Sequence, residues 1–151
     1  MLTLDAWAAR WGLPPQAIQE LQDALTVTAS HADGKSEAYV QQQVRLETSR
    51  RGARLFRNNN GACKSEDGRM VRYGLGNDSA QVNSRLKSSD LIGITPVSVN
   101  GNPVGVFTSY EIKKPGWRYT GTPREVAQLR WLELVVSLGG IGKFISDVGD
   151  L

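Results

Sequence analysis

The run from Leu91 to Lys113 limits the possible folds of this chain more than any other. Its first arm, Leu91 to Val99, is apolar and β-branched, which predicts a strand with Pro96 marking an end or a bulge. Asn100-Gly101-Asn102-Pro103 predicts a hairpin turn, and Gly105 to Lys113 predicts the returning strand. Alternation along that strand sends Phe107, Ser109, Glu111 and Lys113 to one face and Val106, Thr108, Tyr110 and Ile112 to the other. Glu111 and Lys113 are therefore expected to share a cleft while Ile112 enters the core. Asp90 stands at the head of the first arm.

Around this hairpin the signals are local and ordered. Ser36 reads as the N-cap of a helix running to about Ser49, with Glu37, Gln41, Val44 and Thr48 on one stripe. Arg54 to Arg57 reads as a short strand, Asn58 to Gly61 as a turn, and Met70 to Tyr73 as another strand ended by Gly74 and Gly76. The polar segment from Gly76 to Ser89 reads as a mobile loop. Thr122-Pro123-Arg124-Glu125 forms a capping box with proline at the first helical position. That helix is expected to turn Leu129, Leu132, Val135 and Val136 inward and to stop at Gly139-Gly140, before a last strand over Lys143 to Ser146. The order predicts an α/β domain over residues 36–148, with a mixed central sheet flanked by helices.

Residues 1–28 read as an N-terminal helical hairpin. Leu4, Trp7, Ala8 and Trp11 fall on one stripe, Gly12 breaks it, and Ile18, Leu21 and Leu25 line a second helix after Pro14-Pro15. Glu20 and Asp23 stand where a groove-reading helix needs cations, so packing or dimerisation is expected rather than DNA reading. Trp7, Trp11 and Leu21 make a homodimer the expected assembly.

A chain of 151 residues can bury a core without staples. Cys63 is the single cysteine, beside glycine in what reads as a polar loop, and is expected to be a free structural thiol. His31 has no metal-ligand spacing to any residue and reads as a surface side chain. No charged-then-apolar leader and no bilayer-length apolar run are present, so the cytoplasm is the expected compartment and no membrane partner is expected. Residues 35–130 hold 16 of the 18 Lys and Arg but 8 of the 15 Asp and Glu, a local excess of eight positive charges. A surface of that sign attracts a polyanion. Two carboxylates, Asp90 and Glu111, with Lys113 beside them in a basic surround outline a metal site for cutting phosphodiesters.

The ordered set Glu37, Ser89-Asp90-Leu91-Ile92-Gly93, Tyr110-Glu111-Ile112-Lys113, Gln128, Trp131-Leu132 and Leu138-Gly139-Gly140 resembles the VRR-NUC branch of the PD-(D/E)XK nucleases, in particular its short stand-alone, phage-type members. The resemblance spans about residues 36–148 and implies a PD-(D/E)XK nuclease-like sheet. Two features depart from the pattern. Ser89 replaces the usual proline before the metal aspartate, after a longer basic insertion. Asp33-Gly34-Lys35 is a second acid-x-lysine match in a connector.

The resemblance implies that Asp90 and Glu111 bind Mg²⁺ or Mn²⁺, with the Ile112 carbonyl and Glu37 completing an oxygen-rich shell. Lys113 would orient the attacking water or stabilise the transition state, and Gln128 would position Lys113 or a water. Arg54, Arg57, Lys87, Lys114 and Arg118 are expected to contact backbone phosphates, which position DNA without reading sequence. Branched DNA such as four-way (Holliday) junctions or flaps is the expected substrate. The alternative is a nucleic-acid-binding module with a non-catalytic nuclease fold.

Overall fold

The computed structural model describes residues 8–17 and 36–151. The chain divides into two compact units, residues 1–33 and 34–151. In the first, residues 8–10 and 15–17 are helical and residues 11–12 form a turn, with Gly12 at a φ of +62°. Most of the expected hairpin over 1–28, including Trp7 and Leu21, lies outside the described residues, as do His31 and Asp33-Gly34-Lys35.

The second unit opens with helix α1 (Glu37–Arg50), whose first turn is capped by Ser36, its side chain accepting from the Tyr39 N–H at 3.2 Å. Strands β1 (Arg54–Arg57), β2 (Gly61–Lys64) and β3 (Met70–Tyr73), helix α2 (Ala80–Arg85), strands β4 (Leu91–Val99) and β5 (Asn102–Ile112), helix α3 (Pro123–Ser137), strand β6 (Ile141–Ile145) and a 3₁₀ turn (Val148–Asp150) follow. The main sheet has the order β1-β4-β5-β6, with β6 parallel to β5 and the other pairs antiparallel. This is a mixed α/β architecture with a mixed sheet between helices.

The β4–β5 hairpin turns through Asn100 and Gly101, both at positive φ (50° and 81°), the backbone a two-residue turn of this hand demands. Pro96 neither ends nor bulges β4. It pairs with Gly105 in register, beyond the stretch of β4 that β1 covers, so no ladder bond on its outer edge is lost. β1 pairs only with Leu91–Ile94, and β6 only with Thr108–Ile112. The distal half of the hairpin is a two-stranded ribbon.

Alternation divides the core in two. On one face α1 contributes Val40 and Val44, which pack with Leu55, Leu91, Tyr110, Ile112 and Ile145. On the other, α3 contributes Trp131, Leu132 and Val135, with Leu86 and Phe144 against them. Val136, expected inward, is 53% exposed, and Leu129 is half-buried; Trp131 and Gln128 occupy the inward stripe instead. β1 crosses so close to Gly93 that a β-carbon there would run into the Arg54 carbonyl and the Leu55 backbone.

Two expectations are corrected upstream of β4. Cys63 lies in strand β2, exposed, rather than in a loop. The segment from Gly76 to Ser89, expected to be a mobile loop, contains α2, capped by Ser79, and is fastened by side-chain amides. Buried Asn77 donates to the Gly61 and Tyr73 carbonyls at 2.7 and 2.9 Å and accepts from Asn83 at 2.6 Å. No apolar periodicity announces such an anchor. Among the described residues, no helix is long and apolar enough to cross a membrane.

Candidate active site

Strand β5 carries Glu111 and Lys113 to the α3 side of the sheet, as alternation demands. Glu111 does not face an open cleft: it is 2% exposed. Lys113 Nζ donates to Glu111 Oε1 at 3.1 Å and to Gln128 Oε1 at 2.9 Å, and Gln128 Nε2 closes the triangle by donating to the same Glu111 oxygen. Gln128 lies on the buried stripe of α3, and the Trp131 indole N–H, one turn on, donates to Ser109 Oγ at 2.8 Å. The helix is thus registered on the strand by two polar contacts, each satisfying a buried group.

The Glu111 carboxyl is pushed up from 4.5 to about 7, chiefly by burial and next by the negative charge of Asp90, against the pull of Lys113. Lys113 in turn is walled by aromatic rings. Its Nζ lies 5.5 Å from the Trp117 ring and 5.6 Å from that of Phe144, within cation–π range. Trp117 is held by Glu125, which accepts its indole N–H at 2.9 Å. The same Glu125 completes the capping box with Thr122 and accepts from Thr120, and these donors, the Thr122 backbone N–H first, hold its carboxyl down to about 2. One carboxylate therefore starts α3 and fixes the wall around Lys113. The capping box was legible in the sequence; the role of Trp117 and Phe144 was not, because their meeting requires the β5–β6 pairing.

Asp90 sits just before β4, opposite Glu111 across the β4–β5 register. One of its oxygens accepts the Ile112 backbone N–H at 2.9 Å, splicing the two strands where the ladder ends. Asp90 and Ile112 also line a cleft of about 190 Å³ with Glu37, Ala38 and Gln41 of α1, room for several waters at roughly 30 Å³ each. Glu37 thus joins Asp90 and Ile112, while Glu111 is turned toward Lys113 and Gln128. No three His, Cys, Asp or Glu side chains are grouped as a metal cage among the described residues. The donor chemistry of the cleft nonetheless fits a hard divalent cation: the carboxylates of Glu37 and Asp90 with the Gln41 amide beside them, oxygen donors without sulfur or imidazole.

Ser89, where the resemblance would have proline, is almost completely buried, and its hydroxyl has no hydrogen-bond partner among the described residues. Asn58 shapes the turn in its place, donating to Ser88 Oγ and to the Ser89 carbonyl, both at 2.9 Å, while its own N–H meets the Asp90 carbonyl at 2.8 Å. Of the expected phosphate contacts, Lys87 comes nearest the acids. Its N–H is pinned to the Ala127 carbonyl at 3.1 Å, and its ammonium is pulled below the ordinary lysine range by burial and then by Arg124, with Glu111 and Asp90 opposing. Lys114 and Arg118 are exposed just after β5. Arg54 and Arg57 lie apart on edge strand β1, on opposite faces, with Arg54 partly tied to the Ser49 and Ala53 carbonyls.

Comparison with protein-family models, curated proteins and solved structures finds no match to this chain.

Proposed function

We propose that the chain is a Mg²⁺- or Mn²⁺-dependent endonuclease that hydrolyses phosphodiester bonds of structured DNA: branched, four-way-junction or flap substrates. The observation that carries this reading is the buried triangle of Glu111, Lys113 and Gln128 with Asp90 on the adjoining strand. A lysine fixed between a carboxylate and an amide, beside a second carboxylate, matches what phosphodiester hydrolysis requires: acids to hold a cation and a positive group at the reacting phosphate.

Asp90, Glu111, the Ile112 carbonyl and Glu37 would hold the cation. When bound, it supplies a lowered pKa for its water and neutralises charge on the scissile phosphate. Lys113 has three N–H donors, of which Glu111 and Gln128 engage two. Its ammonium stabilises the negative charge that grows on the phosphate oxygens as water attacks and the sugar oxygen departs. Gln128 keeps that ammonium in place. Lys87 and Arg124 add positive charge toward the phosphate from the α3 side, and Lys114, Arg118, Arg54 and Arg57 extend it. A cytoplasmic homodimer remains part of the proposal, with the N-terminal hairpin as the arm.

The orientation of Glu111 toward Lys113, and the absence of a three-ligand cage among the described residues, favour a second reading: a nucleic-acid-binding module with a non-catalytic nuclease fold. Labelled duplex, flap and four-way-junction DNAs incubated with Mg²⁺, Mn²⁺ or EDTA separate the two. The nuclease reading expects metal-dependent products that fall at least 100-fold in Lys113→Ala, with DNA retardation in EDTA retained. Equal products from both proteins, or none from either, would leave the binding module.

A further inference from the structure

The side of the main sheet that carries Glu111 is not covered along its whole length by α3. Cross-strand register places Phe56, Ile92 and Ser109 in one row, and Arg54, Ile94 and Phe107 in the next. Ser109 lies under Trp131. Toward β1 and the outer rungs, away from the helix, the face opens: Phe56 is 63% exposed, Ile94 57% and Phe107 41%. An aromatic and aliphatic patch of this kind, rimmed by a cation, marks a contact surface.

Position and charge identify the occupant. Asn58 touches Asp90 through its backbone N–H, so Phe56, two residues earlier on the same strand, lies roughly 7 Å along the chain from the acid row. A molecule seated on the acid row therefore has Phe56 within reach. β1 and the end of α1 carry Arg50, Arg51, Arg54 and Arg57; Glu47 pairs with Arg50 and Arg51, and Arg54, on the face of Phe56, makes no salt bridge among the described residues. A second copy would set these charges against their own kind, whereas a polyanion is drawn to them. An open ring face beside Arg54 fits a nucleobase face with a flanking phosphate. A continuous duplex hides its base faces in the stack.

Building on the nuclease reading, we infer that Phe56, with Ile94 and Phe107, is a stacking platform for an unpaired nucleotide next to the scissile phosphate. The substrate class is thereby narrowed to DNA with a single-stranded nucleotide at the cut, such as a flap or a splayed arm, in preference to uninterrupted duplex. Arg54, on the same face as Phe56, meets the phosphate beside that base.

The test is binding of an oligothymidylate and of a blunt duplex to wild type, Phe56→Ala and Phe56→Trp in EDTA, followed by flap and duplex cleavage in Mn²⁺. Phe56→Ala should weaken oligothymidylate binding roughly 5- to 100-fold, the range for one lost base stack, and duplex binding less than about 2-fold on the same basis. Phe56→Trp should retain binding. Equal loss on both DNAs, no loss on either, or a change of sedimenting mass in Phe56→Ala, which would make the patch a self-contact, overturns the inference. Lys113-dependent cleavage that ignores Phe56 sinks the platform alone. Phe56-dependent binding of the oligonucleotide with no cleavage of any DNA sinks the nuclease reading and leaves the platform standing.

Discussion

Replacing Glu111 with glutamine should stabilise the metal-free protein at alkaline pH. A carboxyl raised from 4.5 to about 7 by burial and by Asp90 is roughly 3 kcal/mol less favourable in its ionised form in the native state than in the unfolded chain, at about 1.4 kcal/mol per pH unit. Because the native pKa is the higher one, the native state keeps a proton that the unfolded state releases. The contribution is full below pH 4.5 and is lost as pH rises through about 7. Glutamine has the shape of the protonated acid and never ionises, so Glu111→Gln should gain under about 1 kcal/mol at pH 5 and about 3 kcal/mol at pH 8. Urea unfolding in EDTA at the two pH values reads this as a midpoint difference of about 1 to 3 M at pH 8. Mn²⁺ at pH 8 should raise the wild-type midpoint more than that of the variant, which lacks one of the proposed ligands. A difference that stays flat between pH 5 and 8, or a variant less stable than wild type at pH 8, would refute the account of Glu111.

Gly93→Ala should destabilise the fold by about 1–3 kcal/mol, because β1 must lift off β4 to admit the added methyl; a thermal midpoint within the range of ordinary surface substitutions would contradict the close crossing. Glu125→Ala should free the Trp117 indole, seen as faster exchange of its Nε1 proton. In wild type that proton should stay protected as pH falls below 4.5 and lose protection only as pH falls through about 2, since a depressed carboxyl keeps its contribution down to its native pKa.

What could be read in advance was what neighbouring residues decide together. The β4–β5 hairpin follows from β-branched runs around Asn100-Gly101, α1 from Ser36, and the start of α3 from the Thr122 box. The sharing of a face by Glu111 and Lys113 follows from alternation alone. Hidden features depend on partners distant in the chain. β2 and α2 offer little apolar pattern and are secured by Asn77 reaching back to Gly61 and Tyr73. Val136 matched the helical period as well as Trp131 did, and only the position of the sheet decides which is covered. The enclosure of Glu111, the separate cleft of Glu37 and Asp90, and the aromatic wall on Lys113 arise from tertiary packing that no single segment encodes.

Among the described residues, the ribbon formed by the outer halves of β4 and β5 has no sheet neighbour on either side past Ile94 and Thr108. Its length is consequently a free variable of the architecture. Lengthening or trimming both arms by matched pairs of residues preserves which side chains point up and which down. The reach of the arm can then be altered while the acids, four or more rungs away, keep their register, which makes Asn100-Gly101 the natural place to graft a reporter or to change how far the arm extends.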